Sequence, residues 1–309
     1  MSRQGPLPLA LAFVALALAA SPPVRAQFPN VGGILGNAKT AKDVGNSLRA
    51  IGEEEEIKLG GDLAGMLLGA APLISDPDKQ RYVNRLGRWL ALHSERANLP
   101  WKFGIIESND FNAFSTPGGY VLISRGLFDT MRNESELAGV LAHEIAHVVG
   151  KHHLKALQKS LGSGAFASIG KSYVGSRVGV ASVVTDKLIE SGKQMFIRGL
   201  DKEDEYEADR MGVVIATRSG FTPYGLVGVL QTLSAAPTDG GFALLFKTHP
   251  TPTDRITRLG NAMGTQLDSF PGLVDDLPSF VELRNPTPPP PPPAKAKAAP
   301  QRKAPAKKR

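Results

Sequence analysis

Cysteine is absent from all 309 residues of the chain. Without it, no disulfide can stabilise the fold, no thiolate can bind a metal ion, and no lipid can be attached to an amino-terminal cysteine. Long apolar runs are also absent beyond the first 26 residues. Residues 161–170 and 178–184 are small and apolar, but Lys171 and Arg177 interrupt them, and neither stretch reaches the length of a membrane-spanning helix. We therefore expect no transmembrane segment in the mature chain.

The first 26 residues have the pattern of a secretory signal peptide. Arg3 gives the charged start, residues 7–20 give the apolar middle, and Val24-Arg25-Ala26 gives the small-residue end. Cleavage is expected after Ala26, which predicts a periplasmic protein without a lipid anchor. Residues 27–284 are then enough for one sizeable core, and they are predicted to form a single α+β domain.

A basic surface is missing as well, despite the formal net charge of +7. Seven basic residues lie within residues 285–309, and Arg3 and Arg25 leave with the signal peptide. Subtracting these seven and two positive charges from the net charge of +7 leaves a net charge of −2 on residues 27–284. We therefore expect no nucleic-acid partner. The tail, residues 285–309, contains Pro288–Pro293 followed by Ala, Lys and Pro, and is predicted to be disordered. It is either a solvated spacer or a peripheral contact with an anionic envelope surface.

The most informative stretch present is His143-Glu144-Ile145-Ala146-His147. Residues four apart lie on one face of a helix, so His143 and His147 can present two imidazole nitrogens to one ion, with Glu144 beside them. Zinc favours such nitrogen ligands, and the intervening Glu can take a proton from water. Asn133 as cap, Glu136 at the capping-box position and an apolar face predict the helix itself. The alternative is two ordinary surface histidines.

A site with two histidines needs a third ligand, and a carboxylate is a common choice. The run from Glu203 to Arg210, read as a helix, puts Glu205 and Asp209 one turn apart on one face. Glu205 is then the predicted zinc ligand, while Asp209 accepts a hydrogen bond from the far ring nitrogen of a ligand histidine. Glu203 and Glu207 are predicted to be exposed, and the alternative for the whole run is a solvated face.

Residues 112–124 are predicted to form a turn followed by a strand, because Pro117-Gly118-Gly119 favours a turn and β-branched and aromatic residues follow it. A hairpin is the minimal interpretation. An edge strand beside a metal-binding helix can also pair with an extended peptide, which suits an enzyme that cuts unfolded polypeptides. The alternative is an internal strand with no role in substrate binding.

These motifs together resemble family forty-eight of the metallopeptidases. The resemblance rests on Asn112-Ala113-Phe114 with Pro117-Gly118-Gly119, on His143 to His147, on Glu205 to Asp209, and on His249-Pro250 followed by Asp254-Arg255-Ile256. It implies a zincin-like α+β fold with the HExxH helix beside a small sheet with an edge strand. It also implies one Zn²⁺ per chain on His143, His147 and Glu205, Glu144 as general base, and Asp209 supporting a ligand. Among the branches of the family, the chain is similar to the soluble periplasmic one.

His249 lies between Thr248 and Pro250 in a stiff loop, and the same resemblance predicts that it occupies the open zinc position in a resting state. The alternative is that His249 caps local structure or contacts substrate, and either His249 or Arg255 is a candidate for stabilising the oxyanion. The predicted function is a zinc-dependent metalloendopeptidase that cleaves unfolded or misassembled envelope proteins. A chaperone-like envelope assembly factor and a zinc amidase acting on cell-wall peptides are the rival interpretations.

Overall fold

The computed structural model describes residues 51–162, 166, 191–192, 199–236, 249–268, 270 and 272–284. The predicted signal peptide and the predicted basic tail lie outside these residues. All described residues belong to one compact unit of the chain. None of the helices in these ranges has the length and apolar character needed to cross a membrane.

The described part of the chain is mainly helical, with one small sheet. In chain order the elements are α1 (Glu53–Ala70), α2 (Pro77–Leu92), β1 (Lys102–Ile106), β2 (Ala113–Thr116), β3 (Tyr120–Ser124), α3 (Arg125–Thr130), α4 (Glu134–Val149), α5 (His152–Leu161), α6 (Lys202–Arg218), α7 (Gly225–Ser234), α8 (Pro252–Met263) and α9 (Pro278–Arg284). Helices and a short mixed sheet confirm the predicted α+β class.

Helix α4 carries the HExxH motif and forms the centre of the core, with all sixteen of its residues buried. The Asn133 side chain accepts a hydrogen bond from the backbone N–H of Glu136, which confirms the predicted cap. Glu136 does not complete a capping box. Its carboxylate instead accepts from the backbone N–H of Arg132 at 2.7 Å, one residue before the cap. The helix is therefore fixed at its start by side chains and along its length by apolar packing.

The sheet has the strand order β1-β3-β2, with β1 parallel and β2 antiparallel to β3. The predicted hairpin is confirmed, but the strand after the turn, β3, is central. Within the described ranges, the unpaired edge of the sheet therefore belongs to β2, the strand before the turn. The opposite edge is covered, because the Gln80 side chain donates to the carbonyl of Ile105 at 2.7 Å and accepts from its N–H at 2.9 Å. Among the described residues, β2 is the edge next to α4.

Helix α6 crosses α4 at very close range. A Cβ atom on Gly212 would lie 2.9 Å from the backbone nitrogen of His143 and 3.0 Å from its Cα. Only glycine permits this approach, because any side chain there would meet backbone rather than a movable side chain. The contact brings the acidic start of α6 over the HExxH residues.

Glu56 ties three parts of the fold together. It is fully buried, and its carboxylate accepts from Arg96 at 2.5 Å and from the backbone N–H of Gly118 in the β2–β3 turn at 3.2 Å. Lys151, which follows α4, lies 3.1 Å from the second carboxylate oxygen. The acidic run at residues 53–56 begins α1, and its last member also anchors the turn beside the edge strand.

Candidate metal centre

Three side chains from α4 and α6 converge as a candidate ligand set. The Nε2 atoms of His143 and His147 are 3.0 Å apart. The carboxylate oxygens of Glu205 lie 3.7 Å from His143 Nε2 and 3.6 Å from His147 Nε2. Ligand atoms around a tetrahedral zinc ion with bonds of about 2.0–2.1 Å are separated by about 3.3 Å. The observed spacings bracket that value, so this donor set fits a single zinc ion.

Burial supports the same fit. Glu205 is fully buried, and its Oε1 has no hydrogen-bond partner among the described residues. An unsatisfied buried carboxylate oxygen costs about 1–3 kcal/mol or more, and a cation between Glu205 and the two imidazoles would satisfy it. Burial and the neighbouring His143 hold the pKa of His147 well below its ordinary value. His147 is therefore neutral, which is the form that binds metals.

Glu144 faces the same cleft without joining the ligand set. Its side chain is nearly inaccessible, and Ser115 on β2 donates a hydrogen bond to its Oε2 at 2.7 Å. Burial raises the pKa of Glu144, although His143 and the Ser115 hydroxyl oppose the shift. The cleft is lined by Glu144 together with part of the edge strand and several site residues, namely Asn112, Ala113, Phe114, Ser115, His147, Glu205 and His249.

Asp209 lies behind the ligand set, on the far side of His143. Its Oδ1 is 3.0 Å from His143 Nδ1, and Arg255 on α8 donates to both of its oxygens, at 2.9 and 2.6 Å. Burial would raise the pKa of Asp209, but the Arg255 guanidinium outweighs it and holds that pKa well below its usual range. An anionic Asp209 accepts from His143 Nδ1–H and leaves Nε2 free to bind. Arg255 is thus engaged by Asp209 and does not line the cleft.

His249 reaches the site from the segment before α8. Its Nδ1 lies 2.6 Å from Glu205 Oε2. His143, Glu205 and His249 each offer one potential ligand atom, and these three atoms lie within 4.8 Å of one another. Burial lowers the pKa of His249, but the charge of Glu205 outweighs that effect and leaves the pKa raised. The structure therefore brings the predicted ligands, the predicted base and Asp209 into one place, whereas Arg255, a candidate for stabilising the oxyanion, lies behind them on Asp209.

Residues 77–263 match the family model described as Peptidase family M48. The chain belongs to this family. Membership confirms the resemblance seen in the sequence and the predicted metallopeptidase class, and it agrees with the α+β fold. A metal cofactor is implied by the class, and the donor set described above fits one.

Relatives of the chain include several named proteases. The beta-barrel assembly-enhancing protease of Escherichia coli (strain K12) is 32% identical over 238 residues, covering 73% of this chain and 47% of that protein. Metalloprotease YcaL of the same strain is 30% identical over 183 residues, covering 58% of this chain and 69% of YcaL. Mitochondrial metalloendopeptidase OMA1 of Schizosaccharomyces pombe (strain 972 / ATCC 24843) is 26% identical over 179 residues, covering 58% and 51%. The chain spans about half the length of the first of these.

Sequence reasoning missed three contributors to the M48 site. Ser115 holds Glu144 from the edge strand. His152, which begins α5, is fully buried with its Nδ1 2.8 Å from His147 Nδ1. Glu207, predicted to be exposed, is half-buried, with Oε2 3.9 Å from His152 Nε2, whereas Glu203 is exposed as predicted. These contacts join separate elements, so no local pattern in the sequence could indicate them.

Proposed function

We propose that the chain is a zinc-dependent metalloendopeptidase that cleaves unfolded or misassembled polypeptides in the cell envelope. The observation that carries this proposal is one cleft in which a buried carboxylate, Glu144, faces a fitted donor set beside the edge strand β2. Each part has a distinct task in peptide hydrolysis, and the three lie together.

In this proposal His143, His147 and Glu205 hold one zinc ion. When bound, the ion supplies Lewis acidity that polarises a peptide carbonyl and acidifies water. The imidazoles contribute neutral nitrogen donors, and Glu205 offsets part of the ionic charge. Asp209 fixes the ring of His143 through its Nδ1–H, and Arg255 keeps Asp209 anionic.

Glu144 acts as the general base and later as the acid. Its carboxylate takes a proton from the attacking water and delivers it to the leaving amine. Burial suits this exchange, because a raised pKa brings the carboxyl closer to the pH at which a proton must be both accepted and released. Ser115 donates to Oε2 and so restrains the side chain, which leaves Oε1 for the transferred proton.

The substrate binds as an extended strand along β2. Residues 112–115 line the cleft next to Glu144, and β2 pairs with β3 on its other side. Pairing with the backbone of an edge strand reads main chain more than side chains. Such recognition favours unfolded polypeptides over folded ones, because only an unfolded chain can present a free extended segment.

The envelope location rests on the predicted signal peptide and on the name of one relative, the beta-barrel assembly-enhancing protease. A chaperone-like envelope assembly factor is the second candidate function, since that relative's name refers to assembly. The buried carboxylate of Glu144 supports the hydrolase, because a binding protein has no use for a carboxylate facing the metal cleft, whereas a hydrolase requires one.

The test compares wild type with Glu144→Gln on unfolded casein, on a misfolded outer-membrane protein and on peptidoglycan, each with and without chelator. We expect Glu144→Gln to lose at least about 10²–10⁴-fold in peptide cleavage while its zinc content stays equal to that of wild type. Glu203→Gln, an exposed acid on α6, serves as the matched control. Cleavage of peptidoglycan alone, or full casein cleavage by Glu144→Gln, contradicts the proposal.

A resting state completes the proposal. His249 lies against Glu205 and lines the cleft, and we propose that it binds the zinc ion until substrate displaces it. A fourth protein ligand fills the position that water needs, so cleavage requires the segment carrying His249 to move away.

A further inference from the structure

His152 makes a contact that the proposed mechanism does not use. It begins α5, is fully buried, and places its Nδ1 2.8 Å from Nδ1 of His147. Its other ring nitrogen, Nε2, has no hydrogen-bond partner among the described residues. That nitrogen points toward two carboxylates, 3.7 Å from Asp204 Oδ1 and 3.9 Å from Glu207 Oε2.

The turn between α4 and α5 is shaped for this contact. Lys151 adopts a left-handed conformation with φ of 53°, which interrupts the helical path between α4 and α5. Gly150 leaves the space for the returning ring, because a Cβ there would lie 2.3 Å from His152 Nε2. Lys151 in turn is paired with buried Glu56. The backbone therefore folds His152 back under His147.

Proton positions follow from the contact. Two ring nitrogens 2.8 Å apart need one proton between them, so either His147 Nδ1 or His152 Nδ1 is the donor. If His147 binds a metal through Nε2, its proton must be on Nδ1, and His152 Nδ1 must be the acceptor. A neutral His152 then carries its own proton on Nε2, the nitrogen directed at Asp204 and Glu207. An N–H at Nε2 is attracted by the negative charge of the two carboxylates, whereas a lone pair at Nε2 would be repelled by it.

We propose that His152 is a positioning residue for His147: it accepts the Nδ1 proton of His147 and thereby holds the Nε2 lone pair on the candidate metal. The inference rests on the proposed function, because it assigns a role within that metal site. It parallels Asp209, which does the same for His143 with a carboxylate. One ligand imidazole is thus held by an anion and the other by a second imidazole whose far side faces Asp204 and Glu207.

A second metal site is the competing interpretation, since His152, Asp204 and Glu207 can bring three ligand atoms together. A metal ion at that second site conflicts with the hydrogen bond between His147 and His152. A metal on His152 Nε2 would move the His152 proton to Nδ1, His147 Nδ1 would become the acceptor, and His147 Nε2 would carry a proton. His147 could then no longer bind zinc. In addition, the Lys155 ammonium lies 3.2 Å from Asp204 Oδ1, so a cation already serves that carboxylate.

The experiment measures zinc affinity by competition with a chromophoric chelator, using the full chain. His152→Phe keeps a planar ring but removes the acceptor, and we expect zinc affinity to fall by about 10–100-fold. His152→Gln restores a carbonyl acceptor and should recover much of the loss. His93→Phe, at the residue that follows α2, is the matched control, because the His93 ring contacts Trp89, and it should bind zinc as wild type does.

Further readouts separate positioning from a structural role. In zinc-loaded wild type, ¹⁵N NMR should show His147 protonated at Nδ1 and His152 at Nε2, with one zinc per chain. Unchanged affinity in His152→Phe overturns the inference, and so does a second zinc that is lost on His152 replacement. Equal losses in His152→Phe and His152→Gln, matched by equal losses in the stability of the metal-free forms, indicate a packing role and also overturn it. A wild type that binds no zinc overturns the proposed function together with this inference.

Discussion

Replacing Gly212 by alanine tests whether the close crossing of α6 over α4 holds the candidate metal centre together. The new Cβ would lie 2.9 Å from His143 N and 3.0 Å from His143 Cα, whereas ordinary contact begins near 3.4 Å. Both neighbours are backbone, so the helices must separate by about 0.5 Å to restore a normal contact. Ligand distances at a metal site tolerate only about 0.2 Å.

The separation would displace two residues of the metal centre, because Asp209 is one turn and Glu205 two turns from Gly212 on the same helix. We expect Gly212→Ala to weaken zinc binding about 10-fold or more, which is the scale of a lost supporting contact. Overpacking costs about 1–3 kcal/mol and the gain in helix propensity returns about 1 kcal/mol. The free energy of unfolding of the metal-free chain should therefore fall by only about 0–2 kcal/mol.

Zinc affinity is measured by chelator competition, and stability by urea unfolding in chelator. Gly65→Ala is the control, since Gly65 is an exposed residue within α1 and a Cβ there meets no atom within 4 Å. It should raise the free energy of unfolding by about 0.4–1 kcal/mol and leave zinc affinity unchanged. If Gly212→Ala binds zinc as tightly as Gly65→Ala does, the crossing does not set the geometry of the site.

Two further predictions concern the anchor and the resting state. Glu56→Gln should lower the free energy of unfolding by about 3 kcal/mol, because it leaves Arg96 and Lys151 without their buried partner. In the same urea unfolding experiment, the exposed control Glu54→Gln should stay within about 0.5 kcal/mol of wild type. Equal effects of the two substitutions would refute the role of Glu56 as an anchor. His249→Ala should raise casein turnover, by up to about tenfold if the open form is a tenth of the population, whereas reduced turnover would make His249 a participant in catalysis.

Local signals in the sequence were enough to predict the two helices of the site, α4 and α6. The apolar spacing and Asn133 predicted α4, and the acidic run followed by apolar residues predicted α6, since capping and periodicity depend on neighbours in the chain. The same information placed Glu205 and Asp209 on one face. The turn glycines predicted the hairpin for the same reason.

Contacts between distant segments could not be predicted in this way. The parallel pairing of β1 with β3 decides that β3 is central and β2 the edge, and β1 contains no signal for its partner. Gly212 looks like an unfavourable residue in a helix until His143 is seen beneath it. From the sequence, His152 is only a polar residue near a helix end. The structure shows that the left-handed conformation of Lys151 places the His152 ring against His147. Each depends on tertiary packing, which hydrophobic periodicity does not encode.

Glu205 allows metal binding to be separated from folding. In the metal-free chain its buried Oε1 is unsatisfied, at a cost of about 1–3 kcal/mol or more. Relief of that cost offsets the lost contact between Oε2 and His249, so Glu205→Ala should be close to wild type in stability in chelator. Zinc at about 1,000 times its dissociation constant should add about 4 kcal/mol to the free energy of unfolding of wild type. Glu205→Ala should gain almost nothing, while the exposed control Glu203→Ala should keep the full gain. Urea unfolding with zinc and with chelator measures both quantities. An equal zinc-dependent gain in Glu205→Ala and wild type would mean that the ion binds without this carboxylate, and the ligand set proposed for α6 would be wrong.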